Sequence, residues 1–348
     1  MDGTDMAHQA PTASTADGGI APERPGSLIC VTAAACVDRY LRVPGLRTGQ
    51  INRPTAVVAQ AGGKGVNVAR FGRVLATDVT VVGLLDDASG ARFHRELAEL
   101  GIRARWACTS TEGRECLCIY DDGSGELTEL YEPIPPVPPP SWPELRRCLR
   151  ESLTEATADT VVTISGRMPD GLPDESLAEM IDAAHQAGLR VLVDSDDHRL
   201  LPALPLRPHL VKINAAEAAR LTGLDVRDVP TGRSAAEALL DRGARSVVIT
   251  MGSSGSLYID GDRQLLASAP RVRPTIPVGS GDAFLAGFAA GLSRGATPEQ
   301  AQRLAAAAAA ATAETLVVGD VRARRVHRLA PGVEIRETPQ ATTDWSTR

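Results

Sequence analysis

Two short glycine-rich stretches hold the residues best able to do chemistry. The first, IPVGSGDAFLAGFAAGL (276–292), sets Gly279, Ser280 and Gly281 ahead of one acid, Asp282, and then an apolar run. Phe284, Leu285, Phe288 and Leu292 share one helical face, and Gly295 ends the pattern. Asp is a preferred N-cap, so one reading of Asp282 is a helix cap. The other reading is chemical. Consecutive N–H groups at a helix start form an anion site, and a carboxylate beside such a site can remove a proton. The second stretch, AGGKGVNVA (61–69), places Lys64 among Gly62, Gly63 and Gly65, where backbone N–H groups can approach a ligand closely. It also reads as a tight turn before a helix. Neither stretch is a common nucleotide fingerprint. A P-loop needs G-x-x-x-x-G-K-[ST], but position 58 is Val and position 65 is Gly; G-x-G-x-x-G from Gly279 would need Gly at 284, which is Phe.

The elements that must position these residues alternate along the chain. LICVTAAA (28–35), DVTVVGLL (78–85), TVVTISG (160–166), RVLVDSD (190–196), LVKIN (210–214) and SVVITMG (246–252) read as strands. Between them VNVARFGRVLA, ARFHRELAELG, SLAEMIDAAHQAG, AAEAARLTG and SAAEALLDRGA read as helices. This pattern predicts an α/β fold with a parallel sheet covered by helices on both faces. Ligands of such sheets bind at the carboxyl ends of strands, where Asp38, Ser165-Gly166, Asp194, Lys212, Asn214 and Gly252 fall. Stretches 39–60 and 103–133 hold strand-like pieces (RARWACT, ECLCIYD, TELYEP) with no helix between them, which predicts a small antiparallel sheet attached to the main domain. PIPPVPPP (133–140) reads as a stiff connector. In TPEQAQRLAAAAAAATAE, Thr297 and Gln300 form a capping box with Pro298 at the first helical position; the alanines suit a helix packed very close to a neighbour. Residues 1–26 and 332–348 are expected to be tails around one domain, 27–331.

Composition removes several classes. The net charge of -6 and 3% aromatic content argue against nucleic acid as a main partner. No apolar run has the length of a membrane span, so no membrane partner is expected. The six cysteines include no C-x-x-C pair and no zinc-ligand spacing, which suits reduced thiols in a cytoplasmic protein. The N-terminal segment lacks the basic and apolar regions of a secretion signal.

Taken together and in this order, AGGKGVNVA and PVGSGDAFLAGFAAG resemble the two signatures of the PfkB (ribokinase-like) carbohydrate kinases, over about residues 28–330. Within that family the sequence is most similar to the phosphosugar branch, which includes 1-phosphofructokinase and tagatose-6-phosphate kinase. The resemblance implies a three-layer α/β/α sandwich with a β-sheet lid drawn from 39–60 and 103–133, often the surface of a homodimer. It implies ATP and Mg²⁺ as cofactors and a sugar or sugar phosphate as acceptor. By resemblance, Asp282 matches the catalytic base, and Gly279, Ser280 and Gly281 the anion hole. Lys212, Asn214 and Glu217 match the K-x-N-x-x-E element, with Asn214 and Glu217 organising Mg²⁺ through water. Gly252, Ser254 and Gly255 match the nucleotide loop; Asp38, Gly62, Gly63 and Asn67 match sugar contacts; Lys64 and Arg114 match cations near the sugar phosphate.

Three places depart from the branch pattern. T-x-N-P-x-x-D is here Thr32-Ala33-Ala34-Ala35-Cys36-Val37-Asp38; S-G-S-L-P is Ser165-Gly166-Arg167-Met168-Pro169; and Glu115 stands where Asn is common. Arg167 is open to three readings: a new phosphate contact, an ion pair with Glu115 or Asp38, or a solvated charge. The departures leave two alternatives beside a phosphosugar kinase: a kinase of an unphosphorylated sugar or nucleoside, and a catalytically weak binding or regulatory protein on the same fold.

Overall fold

The computed structural model describes residues 25–272 and 278–337. The expected tails therefore lie mostly outside the described residues, as do Ile276 and Pro277 of the IPVGSGDAF stretch. The chain opens with β1 (Ser27–Thr32), β2 (Cys36–Val43), β3 (Ala56–Gly62), α1 (Lys64–Val74), β4 (Asp78–Asp86), α2 (Asp87–Glu99) and β5 (Arg103–Thr109). Next come β6 (Arg114–Asp121), β7 (Leu127–Tyr131), α3 (Ser141–Thr154), β8 (Val161–Ser165), α4 (Ser176–Gln186) and β9 (Arg190–Asp194). Then follow α5 (Leu200–Ala203), β10 (Leu210–Asn214), α6 (Ala215–Thr222), α7 (Val229–Leu240), β11 (Ser246–Thr250), β12 (Ser256–Asp260) and β13 (Gln264–Ala267). The last elements are α8 (Ser280–Ser293), α9 (Pro298–Thr312), α10 (Ala323–Leu329) and β14 (Ile335–Glu337).

The large sheet has the order β14-β13-β12-β11-β10-β9-β8-β1-β4-β5. Strands from β11 to β5 pair in parallel, and β12, β13 and β14 add an antiparallel edge. Both faces are buried, which is why the central strands are near-continuous apolar runs. Along β1, Leu28 and Cys30 join the core under α1, α2, α8 and α9, while Ile29 and Val31 join the one under α3, α4 and α7. The chain builds outward from β1 to β4 and β5, then from β8 toward β11. That reversal leaves a crevice at the carboxyl ends of β1 and β8, where open α/β sheets take ligands.

The alanine-rich α9 packs on α8 at backbone distance. A methyl added at Gly287 would lie 2.7 Å from Ala305 Cα, and one at Gly291 would lie 2.9 Å from Ala301 Cα. Thr297 and Gln300 form the expected capping box.

Three details differ from the sequence expectations. RARWACT is not part of the small sheet: as β5 it pairs in parallel with β4 through the α2 crossover. Its apolar signal is weak because it is an edge strand, anchored by Trp106 edge-on to Phe93 at 5.4 Å. The small sheet, β3-β2-β6-β7, is mixed rather than antiparallel, because β2 and β6 run in parallel. Finally, Ile335–Glu337, expected within a tail, forms a strand on β13.

Candidate active site

Backbone geometry in the Gly62-Gly63 turn brings the small sheet to the large one. A side chain at Gly62 would overlap the Asp38 carboxylate at 2.2 Å. Gly63, at φ 97°, is the N-cap of α1. The first turns of α1 then present Lys64 and Asn67 to the crevice. Lys64 Nζ donates to Asp194 Oδ1 at 3.0 Å and to Glu217 Oε1 at 3.5 Å. From the neighbouring strand, Lys212 Nζ donates to Asp194 Oδ2 at 2.6 Å. Asp194 is wholly buried. Burial alone would raise its pKa, yet the two ammonium groups more than compensate and hold it below the usual carboxylate range. Lys64 shows the converse balance: burial disfavours its charge, but Asp194, Glu217 and Asp282 raise its pKa.

The N-terminus of α8 closes this cluster. Gly279 is the N-cap, in the left-handed region at φ 72°, where a side chain would also strike Val318 at 2.7 Å. Asp282 makes no capping bond, so the capping reading of this residue does not hold. Its carboxylate instead accepts from Asn67 Nδ2 at 3.0 Å. Asp282 is 7% exposed. Burial pushes its pKa up to about 7; Asp194 adds to the rise, while Lys64, Lys212 and Asn67 oppose it. The first N–H groups of α8 have no intrahelical partner, as at every helix start. A methyl at Gly281 would lie 2.8 Å from Lys212 Nζ, so the amine stands against that helix end. Ser280 Oγ is buried with no hydrogen-bond partner among the described residues. Together these groups can hold an anion beside a carboxylate able to accept a proton near neutral pH.

Asn214 and Glu217 form the capping box of α6. Asn214 Oδ1 accepts from the Glu217 N–H at 2.9 Å, and Glu217 Oε2 accepts from the Asn214 N–H at 2.8 Å. One strand further, Gly252 (φ 57°) and Ser254 lie exposed in the turn after β11. Gly255 has a packing reason of its own, because a side chain there would meet Ala267 O at 2.0 Å.

On the other rim, Asp38 is buried and its pKa is raised by that burial, against the hydrogen bonds of Cys36 and Asn67. Arg114 opens β6, donates through Nη1 to Glu132 O at 3.1 Å, and buries an Nε with no partner among the described residues. Ala34, Ala35, Thr109 and Arg114 line one cleft. Arg167 pairs with neither Glu115 nor Asp38. It binds Asp196 at 2.9 and 2.7 Å, together with Arg220 at 2.7 Å, while Glu115 pairs with Arg39 at 3.2 Å.

The pfkB family carbohydrate kinase profile matches residues 27–320. The chain belongs to that family. It is a carbohydrate kinase, with ATP as phosphoryl donor. Curated relatives include the 1-phosphofructokinase of Xanthomonas campestris pv. campestris, 33% identical and covering 80% of this chain and 88% of its own, and that of Rhodobacter capsulatus, 32% identical over 80% and 87%. Among solved structures, phosphofructokinase-2 from Escherichia coli superposes with a TM-score of 0.79 at 25% identity, covering 88% of this chain and 98% of its own. That protein has also been solved with fructose-6-phosphate and in a tetrameric inhibited form.

The cluster holds one buried carboxylate that the motifs do not name. Asp194 anchors both lysines, and its signal was its place at the carboxyl end of RVLVD. Asp196, which fixes Arg167 and Arg220, follows it closely. No helix among the described residues is long and apolar enough to cross a membrane.

Proposed function

We propose that this kinase phosphorylates a hydroxyl of a phosphorylated ketohexose, as a 1-phosphofructokinase or tagatose-6-phosphate kinase does, with Asp282 as the general base. The observation that carries the reading is the placing of Asp282: a buried carboxylate with a pKa of about 7, in the first turn of α8 and facing Lys64 and Lys212. A base with a pKa near the operating pH is best matched to proton transfer. Asn67 orients the carboxylate through its 3.0 Å hydrogen bond. The N–H groups of Gly279, Ser280 and Gly281 stabilise the charge on the transferring phosphoryl group, where a preorganised donor is worth roughly 3 kcal/mol. Lys212 adds a fixed cation at that helix end. Asp38, Gly62, Gly63 and Asn67 hold the acceptor hydroxyls, and Lys64 and Arg114 its phosphate. Arg114 keeps a buried Nε to donate. The names of the curated relatives support the phosphosugar class. Gly252, Ser254 and Gly255 hold the nucleotide.

Hard oxygen donors at Asn214 and Glu217 fit Mg²⁺, which favours carboxylate, phosphate and water ligands. Both side chains are already committed to their capping box, so they would hold the ion through water. Bound with the nucleotide, Mg²⁺ would neutralise phosphate charge. Val57, Val58, Leu130 and Tyr131 leave apolar surface exposed on β3 and β7, which supports a homodimer formed through the small sheet as lid. The free cysteines support a cytoplasmic setting, for one kinase domain that runs from residue 27 through β14 at Glu337.

The test is ATP consumption with Mg²⁺ against fructose 1-phosphate, tagatose 6-phosphate, fructose 6-phosphate and the free sugars. Turnover of a phosphosugar is expected. Turnover of free sugars alone would move the acceptor to the unphosphorylated class. Silence across the panel would favour a binding protein.

A further inference from the structure

The pairing of β2 with β6 assembles a cluster that no sequence spacing announces. Cys36 and Asp38 are two apart on β2, and Cys116 stands opposite Asp38 on β6. All three face inward from the small sheet and are buried, at 4%, 8% and 5% exposure. One sulfur or oxygen from each lies within 4.8 Å of the others. Cys36 Sγ donates to Asp38 Oδ1 at 3.3 Å. Two thiols and a carboxylate are a zinc-type donor set. With Zn–S near 2.3 Å, two sulfurs on one ion stand at most about 4.6 Å apart, so small side-chain rotations would close the cluster on an ion.

Two further observations favour a cation over a disulfide. In the strand register Cys36 lies opposite Arg114, and Cys116 opposite Asp38, so the cysteines are diagonal neighbours. On parallel strands a two-residue offset adds about 6.6 Å along the strand to about 4.8 Å between strands, which sets the two Cα atoms about 8 Å apart, beyond the usual separation of a disulfide. The second observation is Arg114, whose Nε is buried without a partner among the described residues and whose charge acts on both thiols. Two thiolates, one carboxylate and a divalent ion carry a net charge of −1, which the guanidinium would balance.

We propose that Cys36, Asp38 and Cys116 bind a thiophilic divalent cation, Zn²⁺ above all, and that this ion inhibits the kinase by taking Asp38 from the acceptor. Binding releases the two thiol protons to solvent and leaves a fourth coordination position open. The inhibition rests on the acceptor reading of Asp38 given above; the binding does not.

The test uses the reduced full chain in a non-thiol reductant, with Co²⁺ as spectroscopic probe. One equivalent should bind with a near-ultraviolet sulfur-to-cobalt charge-transfer band that Zn²⁺ displaces. Cys36→Ser and Cys116→Ser should each abolish the band and weaken binding at least about ten-fold, the low end for disturbing a metal site, while Cys118→Ser keeps it. Absence of the band, or binding that survives both variants, overturns the site. Should a variant fail to fold, Zn²⁺ protection of Cys36 and Cys116 from alkylation in the natural chain decides the same question. In the kinase assay Zn²⁺ should raise KM for the acceptor, with recovery on adding a zinc-selective chelator. Unchanged rates with Zn²⁺ bound overturn the inhibition, and recovery with reductant alone identifies a disulfide and overturns the cation. If no acceptor is turned over, the cobalt spectrum still tests the site by itself.

Discussion

The two rims of the crevice are built from different materials. Along the large sheet, Asp194 and Lys212 of the adjacent strands β9 and β10 interlock with Lys64 of α1 and Glu217 of α6 through ion pairs and a capping box. On the small sheet, Asp38, Arg114, Cys36 and Cys116 stand on the two central strands, β2 and β6, of a sheet whose far side keeps Val57 and Leu130 exposed. The first rim fixes charge before any ligand arrives, which is what stabilising a transferring phosphoryl group requires. The departures at Ala34, Ala35 and Glu115 fall on the second. Arg167 does not, because Asp196 holds it to the large-sheet rim.

The largest test of this contrast is Asp282→Asn. Turnover should fall at least about 10²-fold while ATP binding and the folded circular dichroism spectrum persist. Near-normal turnover would remove Asp282 from the chemistry. The same carboxylate sets a pH dependence. With a pKa of about 7, kcat/KM should fall about tenfold per pH unit below that point. Stability should run the other way. A carboxyl whose folded pKa is raised contributes stability that is complete below the usual carboxylate range, from 3.8, and is lost as pH rises through about 7. Thermal melts of Asp282→Asn should lack that loss; a slope identical to the natural chain's would contradict the burial argument.

On the small-sheet rim, Arg114→Ala should raise KM for the phosphosugar roughly ten-fold or more, the range for one charged hydrogen bond, with KM for ATP unchanged. Equal effects on both substrates would erase the distinction between the rims. Gly287→Ala should cost about 1–3 kcal/mol in denaturant unfolding, the range for overpacking, because the new methyl meets the Ala305 backbone. A neutral result would show that the α8–α9 contact can yield. The smallest effect belongs to Arg167→Ala. Its side chain is 57% exposed, and exposed pairs contribute about 0–1 kcal/mol. Both KM values should hold, and a marked rise for the phosphosugar would return Arg167 to the acceptor rim.

The large-sheet rim was the more legible in sequence. Its strands are apolar runs ending in polar residues, and GSGDAF and GGKG sit at helix starts, so local signals place both. The small sheet was less legible because its information is non-local. The parallel β2–β6 pairing, which joins Cys36, Asp38 and Cys116, follows from register between distant segments. RARWACT was misplaced for a related reason: an edge strand half covered by solvent resembles a lid strand in composition. The charge pairing of Asp194 with two lysines likewise needs the order β9-β10 and the return of α1, which composition does not carry.

The seam between α8 and α9 has a consequence for how the site is held. Gly279 to Asp282 ride on the helix whose Gly287 and Gly291 touch alanine backbone, so a single added methyl there moves the whole helix. At Gly287 the three nearest atoms are all backbone, so no neighbouring side chain can shrink to make room. The helix that carries Gly279 to Asp282 is thereby held by backbone contact, whereas the small-sheet rim is held by side chains.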